Sequence, residues 1–400
     1  MLNLKKDVTS AVFYLFLAAV LGTTLRLFVV VDLPAEYRFL VHTHSHVALL
    51  GWVYVALTTL LYKLYLQPAG VTKRYRRIFW LAQVSIVGML FTFPFQGYAL
   101  FSIFFSTLFL VASYFFAALF FKKSAPEMRN RFSFKLAKWA VIYMIISSIG
   151  PWALGGIMNT LGSTSVWYKL AIYFYLHFQY NGWFILGLLA VLFYFLEVHN
   201  FALEVGRHKI WLRIINTSIV LTFFLSTLFM EPHWFLNVLG GMGVLLQSWI
   251  LLLFFFWLYP KWKKFSGKLK SGVSGMLVFA GVLWAIKNDM QLLSALPYFA
   301  KVAFTNLDFV IGYLHLVFLG VVSIALFALL KQADLLKFPK WGYRGFLCAF
   351  LLTEVLIFYK GTAAWLEFSI IFYYYELLAA GSILFPLSLI GIIWYSLKSK

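Results

Sequence analysis

Runs of roughly twenty mostly apolar residues recur from one end of this 400-residue sequence to the other, and a helix of that length crosses the hydrocarbon core of a bilayer. They lie near 8–32, 38–66, 77–98, 99–121, 133–158 and 167–196, then near 211–230, 233–259, 273–295, 305–331, 342–360 and 371–397. Lipid offers a peptide backbone no hydrogen bonds, so segments this apolar must be helical. The expected fold is all-α, a polytopic membrane protein of about twelve transmembrane helices. A soluble domain of this length would not carry such residues, since 63% are hydrophobic and only 12% charged. Membrane lipid is thus the first expected partner, with most of the 45 Phe facing lipid or packing between helices. The first run follows Lys5 and Lys6 as a signal peptide would, but it is too long and lacks a small-residue cleavage pattern, which marks it as a retained helix.

The net charge of +20 would suggest nucleic acid in a soluble protein. Here the cations sit in alternate connections between the apolar runs. Lys73, Arg74, Arg76 and Arg77 form one group; Lys122, Lys123, Arg129 and Arg131 a second; Arg207 and Lys209 a third; and Lys261, Lys263, Lys264, Lys268 and Lys270 a fourth. Lys331, Lys337 and Lys340 follow, whereas the intervening connections, 93–100 and 159–165 among them, are almost uncharged. Basic loops stay on the cytoplasmic side. Both termini are therefore expected in the cytoplasm of a bacterium, with the chain in the inner membrane and no nucleic-acid partner. Cys348, the one cysteine, lies in an apolar run, which excludes a disulfide framework and a paired-thiol redox site.

A short motif repeats three times. The second run reads His46-Val-Ala-Leu-Leu-Gly51, the sixth His177-Phe-Gln-Tyr-Asn-Gly182 and the tenth His315-Leu-Val-Phe-Leu-Gly320, each four runs after the last. A lone His-x4-Gly has no value as a motif, but three copies at equivalent points imply three pseudo-three-fold four-helix repeats, near 1–130, 131–265 and 266–400. The glycines suit close approach of a helix or a flat macrocycle. The second, sixth and tenth helices would then form an inner ring.

Ionisable side chains inside a membrane are costly and normally face the bundle interior. Six of the eight histidines, His42, His44, His46, His177, His233 and His315, fall at or within the outer ends of these runs. His199 and His208 fall in a basic connection and are expected to be solvated. At 3.6 residues per turn His42 and His46 share a face while His44 points nearly opposite, so one helix can serve two sites. Neutral imidazole is a common ligand of haem iron and of copper. The competing reading is that these rings satisfy hydrogen bonds between helices.

The helix number, the inside termini, the three-fold repeat and the outer-half histidines resemble the haem-copper oxidase subunit I superfamily. Arg38-Phe-Leu-Val-His42-Thr43 is similar to the start of the second helix in its nitric oxide reductase branch, and His44-Ser45-His46-Val-Ala-Leu-Leu-Gly51 to the motif of the NnrS family of haem and copper membrane proteins. The resemblance implies haem, b-type by expectation, with copper as a further candidate, and an electron donor that could be a quinol or cytochrome c. It implies axial ligation by His315 with His46 or His44, Gly51 and Gly320 beside the cofactor, and Arg38 near its propionates. His177 with His233 and the remaining histidine of the second run would form another metal site. The sequence also departs from oxidase catalytic subunits: 214–230 contains no histidine, the tenth run carries only His315, and Asn181 stands where a tyrosine would follow the sixth-run histidine, Tyr180 being one position early.

The leading expectation is a haem-binding or haem-copper membrane protein in redox or NO/O2-related chemistry. A divergent NO or oxygen reductase is one alternative, with Glu354 and Glu376 in a proton route. A secondary transporter using intramembrane His and Glu is another, since repeats and many helices are common there. The Pro and Gly interruptions at 91–97 and 149–151 read better as a loop and a kink than as broken transport helices.

Overall fold

The protein was analysed as a computed structural model that describes residues 3–231 and 233–398. Among these, helices dominate, no strand occurs, and twelve helices are long and apolar enough to cross a membrane. They are α1 (Leu4–Leu27), α2 (Tyr37–Ala69), α3 (Thr72–Gln96), α4 (Leu100–Lys123), α5 (Phe132–Thr160) and α6 (Val166–Val198), then α7 (Val205–Met230), α8 (Trp234–Ser266), α9 (Val273–Ser294), α10 (Leu307–Gln332), α11 (Lys340–Leu366) and α12 (Tyr374–Lys398). The chain is thus an all-α polytopic membrane protein. Several spans outrun their apolar segments, α7 and α8 among them. α7 begins six residues before the apolar run, with Arg207, His208 and Lys209 in its first turns, and α8 continues through Lys261, Lys263 and Lys264. Basic turns continue a helix that has already formed, because Lys and Arg keep good helix propensity after hydropathy has fallen. At 149–151 the expected kink is present, as the helical run of α5 breaks at Ser148 before Pro151.

The residues fall into two compact units, Met1–Ser124 with Leu330–Lys400, and Ala125–Leu329. In the first unit α1 lies between α2 and α12, and α3 pairs with α4. Asp7, buried near the start of α1, is held 2.6 Å from the Arg76 guanidinium of α3, so one cation of the first basic connection is a tie between helices. Thr23 of α1 donates to the Ser382 carbonyl of α12 at 3.0 Å. α3 ends at Gly97, whose φ of +58° and contact with the Phe39 ring leave no room for a side chain. In the second unit α5 packs on α6, α7 on α8 and α9 on α10. There α6 and α10 meet through aromatic rings, Tyr180 and Phe184 against Phe318 at 6.0 and 6.2 Å.

Each His-x4-Gly motif introduces the same irregularity. A π-helix begins directly after the histidine and runs eight residues: Val47–Tyr54 after His46, Phe178–Ile185 after His177 and Leu316–Ser323 after His315. A π-helix closes its hydrogen bonds over five residues, so the spacing from histidine to glycine is one π-turn, and such segments gather at functional sites. In two copies the glycine also admits a tyrosine. A Cβ on Gly51 would lie 2.6 Å from the Tyr14 Cβ of α1, and one on Gly182 would lie 2.5 Å from the Tyr143 Cβ of α5. Tyr14 then donates to Gln83 of α3 at 2.8 Å and Tyr143 to the Asn216 carbonyl of α7 at 3.4 Å, the same three-helix clasp made twice. On α9 no tyrosine takes this place. The motif helices are also the most buried of the twelve: 89% of the most apolar window of α2 is buried and 72% of those of α6 and α10, against 28% for α8.

Candidate functional site

In the first unit the histidines of α2 divide between two faces, as helical geometry requires. The His42 and His46 rings lie against the α3–α4 connection, with His42 4.7 Å from the Tyr98 ring and His46 4.5 Å from that of Phe93. The His44 ring instead lies on α1, in a gap that Gly22 keeps open, since a Cβ there would come within 3.0 Å of its Cε1. Two rings are oriented by backbone carbonyls. His44 Nδ1 is 2.9 Å from the Ala18 oxygen, and His46 Nδ1 is 2.8 Å from the His42 oxygen. A carbonyl only accepts, so both Nδ1 atoms carry the proton and both Nε2 atoms keep their lone pairs. Histidines that bind metal are commonly held this way. His46 Nε2 faces the Tyr98 hydroxyl at 3.3 Å, whereas His44 Nε2 makes no hydrogen bond among the described residues.

A charged group stands near His44. Arg26, at the end of α1, is within electrostatic reach of His44 and of Glu354 on α11. Glu354 is only 8% exposed, and neither of its oxygens has a hydrogen-bond partner among the described residues. Arg26 is thus a charged group common to the surroundings of His44 and Glu354. Glu376, by contrast, is exposed in the first turn of α12. Arg38 is exposed at the start of α2, near His42.

In the second unit His177 is buried and both its ring nitrogens are engaged. Nε2 donates to the Ile219 carbonyl of α7 at 2.8 Å, which leaves Nδ1 to accept from the Asn181 amide at 3.2 Å. Asn181 turns its oxygen to Lys287 of α9 at 2.7 Å. His177 is therefore the end of a hydrogen-bonded chain from α7 to α9, and its lone pair is taken. His233 is exposed at the head of α8, where Nδ1 accepts from the Phe235 backbone N–H at 3.4 Å, the task of a helix cap. His315 and Gly320 lie in this unit on α10, His315 half-buried and Gly320 buried. His208 departs from expectation: instead of being solvated it is buried, donating from Nε2 to the Leu203 carbonyl at 3.0 Å and facing the Lys135 ammonium at 3.2 Å.

Among the described residues no three His, Cys, Asp or Glu side chains gather as a metal-binding group. Of the residues expected at a second metal site, His177 spends its ring nitrogens on Ile219 and Asn181, and His233 Nδ1 accepts from the Phe235 backbone. The donor set does not fit a three-histidine copper centre. It does fit an axial ligand to haem, which needs one imidazole with a free Nε2.

No family model and no curated protein matches the sequence. The site must be read from its own chemistry.

Lys287 was missed by motif reading. The cue was present, since it is a lysine far inside an apolar run, where charge is expensive. Its acceptors Asn181 and Gln247 are single polar residues on separate helices and form no pattern along the chain.

Proposed function

We propose that the chain is a haem-binding integral membrane protein serving redox or NO/O2-related chemistry, with its termini on the cytoplasmic side of a bacterial inner membrane. The observation that carries this reading is the pose of His44, pinned through Nδ1 to Ala18 with Nε2 unengaged and Arg26 close by. His46 shares the tautomer, with Tyr98 across its Nε2, and is the second candidate ligand. Haem would supply one-electron and gas-binding chemistry, drawing on an external donor such as a quinol or cytochrome c. The chain's own part is to fix the imidazole, keep the site within apolar spans and set a guanidinium where propionates would be met. Copper is not included, for want of a three-ligand group. The basic connections support the orientation.

The test is the optical spectrum of protein purified from haem-replete membranes, oxidised and reduced, with and without NO. A Soret band that shifts or disappears in His44→Ala, with His46→Ala and His315→Ala measured alongside, is the expected result. A colourless protein, or a band untouched by all three changes, would overturn the reading. A second reading, secondary transport, is favoured by one observation: Glu354 and Lys287 are buried ionisable groups inside spans, as on ion paths. A colourless protein would point to it.

A further inference from the structure

Lys287 is completely buried, and its ammonium is met by three amide oxygens: Asn181 at 2.7 Å, Gln247 at 3.3 Å and Asn288 at 3.5 Å. These dipoles satisfy its three N–H groups but carry no charge. Among the described residues no carboxylate lies within ion-pair distance of it, and Asp289, two residues on, is exposed on another face of α9. A cation buried without an anion is costly, and buried charges are normally paired.

A cavity of about 30 Å³ adjoins this group inside the second unit. Asn181 and Gln247, the two amides that hold the ammonium most closely, form part of its wall, together with Trp284 and a surround of Leu, Ile and Phe side chains. Gln247 points its oxygen at Lys287, so its N–H2 end is directed away from the cation. The Trp284 indole N–H is buried without a partner among the described residues. The space is more than one ordered water needs. It combines a fixed positive field, N–H donors and apolar walls, and contains no acidic group.

We propose that this cavity binds a small monovalent anion, a halide or one of similar size such as nitrite, as the counter-charge to Lys287. Gln247 relays the charge: its oxygen faces the ammonium at 3.3 Å and its polarised N–H2 is left for the anion, whereas the Asn181 N–H2 is held by His177. Apolar walls favour weakly hydrated anions, which lose least on leaving water, so bromide binds better than chloride, and sulfate is excluded by size and charge. The site is independent of haem and takes no part in the reading above.

The experiment uses the full chain in detergent, titrated with sodium bromide against sodium gluconate at constant ionic strength, with thermal stability and tryptophan fluorescence recorded. Saturable stabilisation and quenching by bromide, weakened about tenfold or more in Lys287→Met, is the expected result. Trp284→Phe, which keeps the cation and most of the volume, should weaken binding and remove the saturable part of the quenching, and it decides the matter if Lys287→Met does not fold. Anomalous difference density for bromide beside Gln247 would support the site directly. No saturable response in the native chain, or one unchanged in either folded variant, would overturn the proposal and leave the cavity as a water site.

Discussion

Gly51 and Gly182 show what one hydrogen atom in place of a methyl group does in this molecule. The tyrosine rings of α1 and α5 rest on these two α-carbons, at distances no Cβ tolerates. Gly51→Ala and Gly182→Ala should each destabilise the protein by about 1–3 kcal/mol, the usual cost of overpacking. Gly155→Ala, where nothing lies within 4 Å, is the control and should leave the melting temperature in detergent unchanged. The motif's glycines were legible in the sequence as points of close approach, and so was the division of His42, His44 and His46 between two faces. What each ring binds was not. The partners of His44, His177 and His208 are the carbonyls of Ala18, Ile219 and Leu203, and a backbone oxygen leaves no trace in residue types. Hence His208 reads as a loop residue until its fold is known.

Elements differ in how much of each meets lipid. α8 exposes a stripe at Met242, Leu245, Trp249, Leu252 and Phe256, spaced three and four residues apart, and buries Gly240, Gly243, Val244, Gln247 and Ile250. That is the spacing of one helical face. α2 has no comparable stripe, and Ala56, Leu57, Leu60 and Leu61 are fully buried. A membrane-soluble carbene reagent followed by mass spectrometry should therefore label α8 heavily and Tyr37–Ala69 hardly at all; equal labelling would contradict this arrangement. Hydropathy located all twelve spans but could not separate lipid-facing from enclosed helices, because apolar residues suit both settings. It also missed the π-segments, since an i to i+5 bond is a backbone event that His-x4-Gly marks only in retrospect.

For the whole molecule, the alternation of basic and uncharged connections fixes an expected orientation. With Cys348 replaced by Ala, Lys268→Cys should react with an impermeant thiol reagent only from the cytoplasmic side, and Ser163→Cys only from the opposite side. The reverse pattern would refute the topology. Compactness groups the spans differently from the sequence repeat: α11 and α12, at the end of the third copy, join α1 to α4 in one unit, while α9 and α10 stay with α5 to α8. Motif periodicity cannot report this, because it records resemblance between segments and not which segments touch.

The packing of α1 against α12 has a consequence for biogenesis. Val8, Ala11, Val12, Leu15 and Ala18 of α1 are buried in the finished protein, yet ribosomal synthesis delivers α12 only after the ten spans that lie between the two. α1 must wait in the bilayer with part of its seat unfilled. Its near-uniform hydrophobicity, with Asp7 able to find Arg76 as soon as α3 is made, lets it wait among lipids until α12 arrives to cover it.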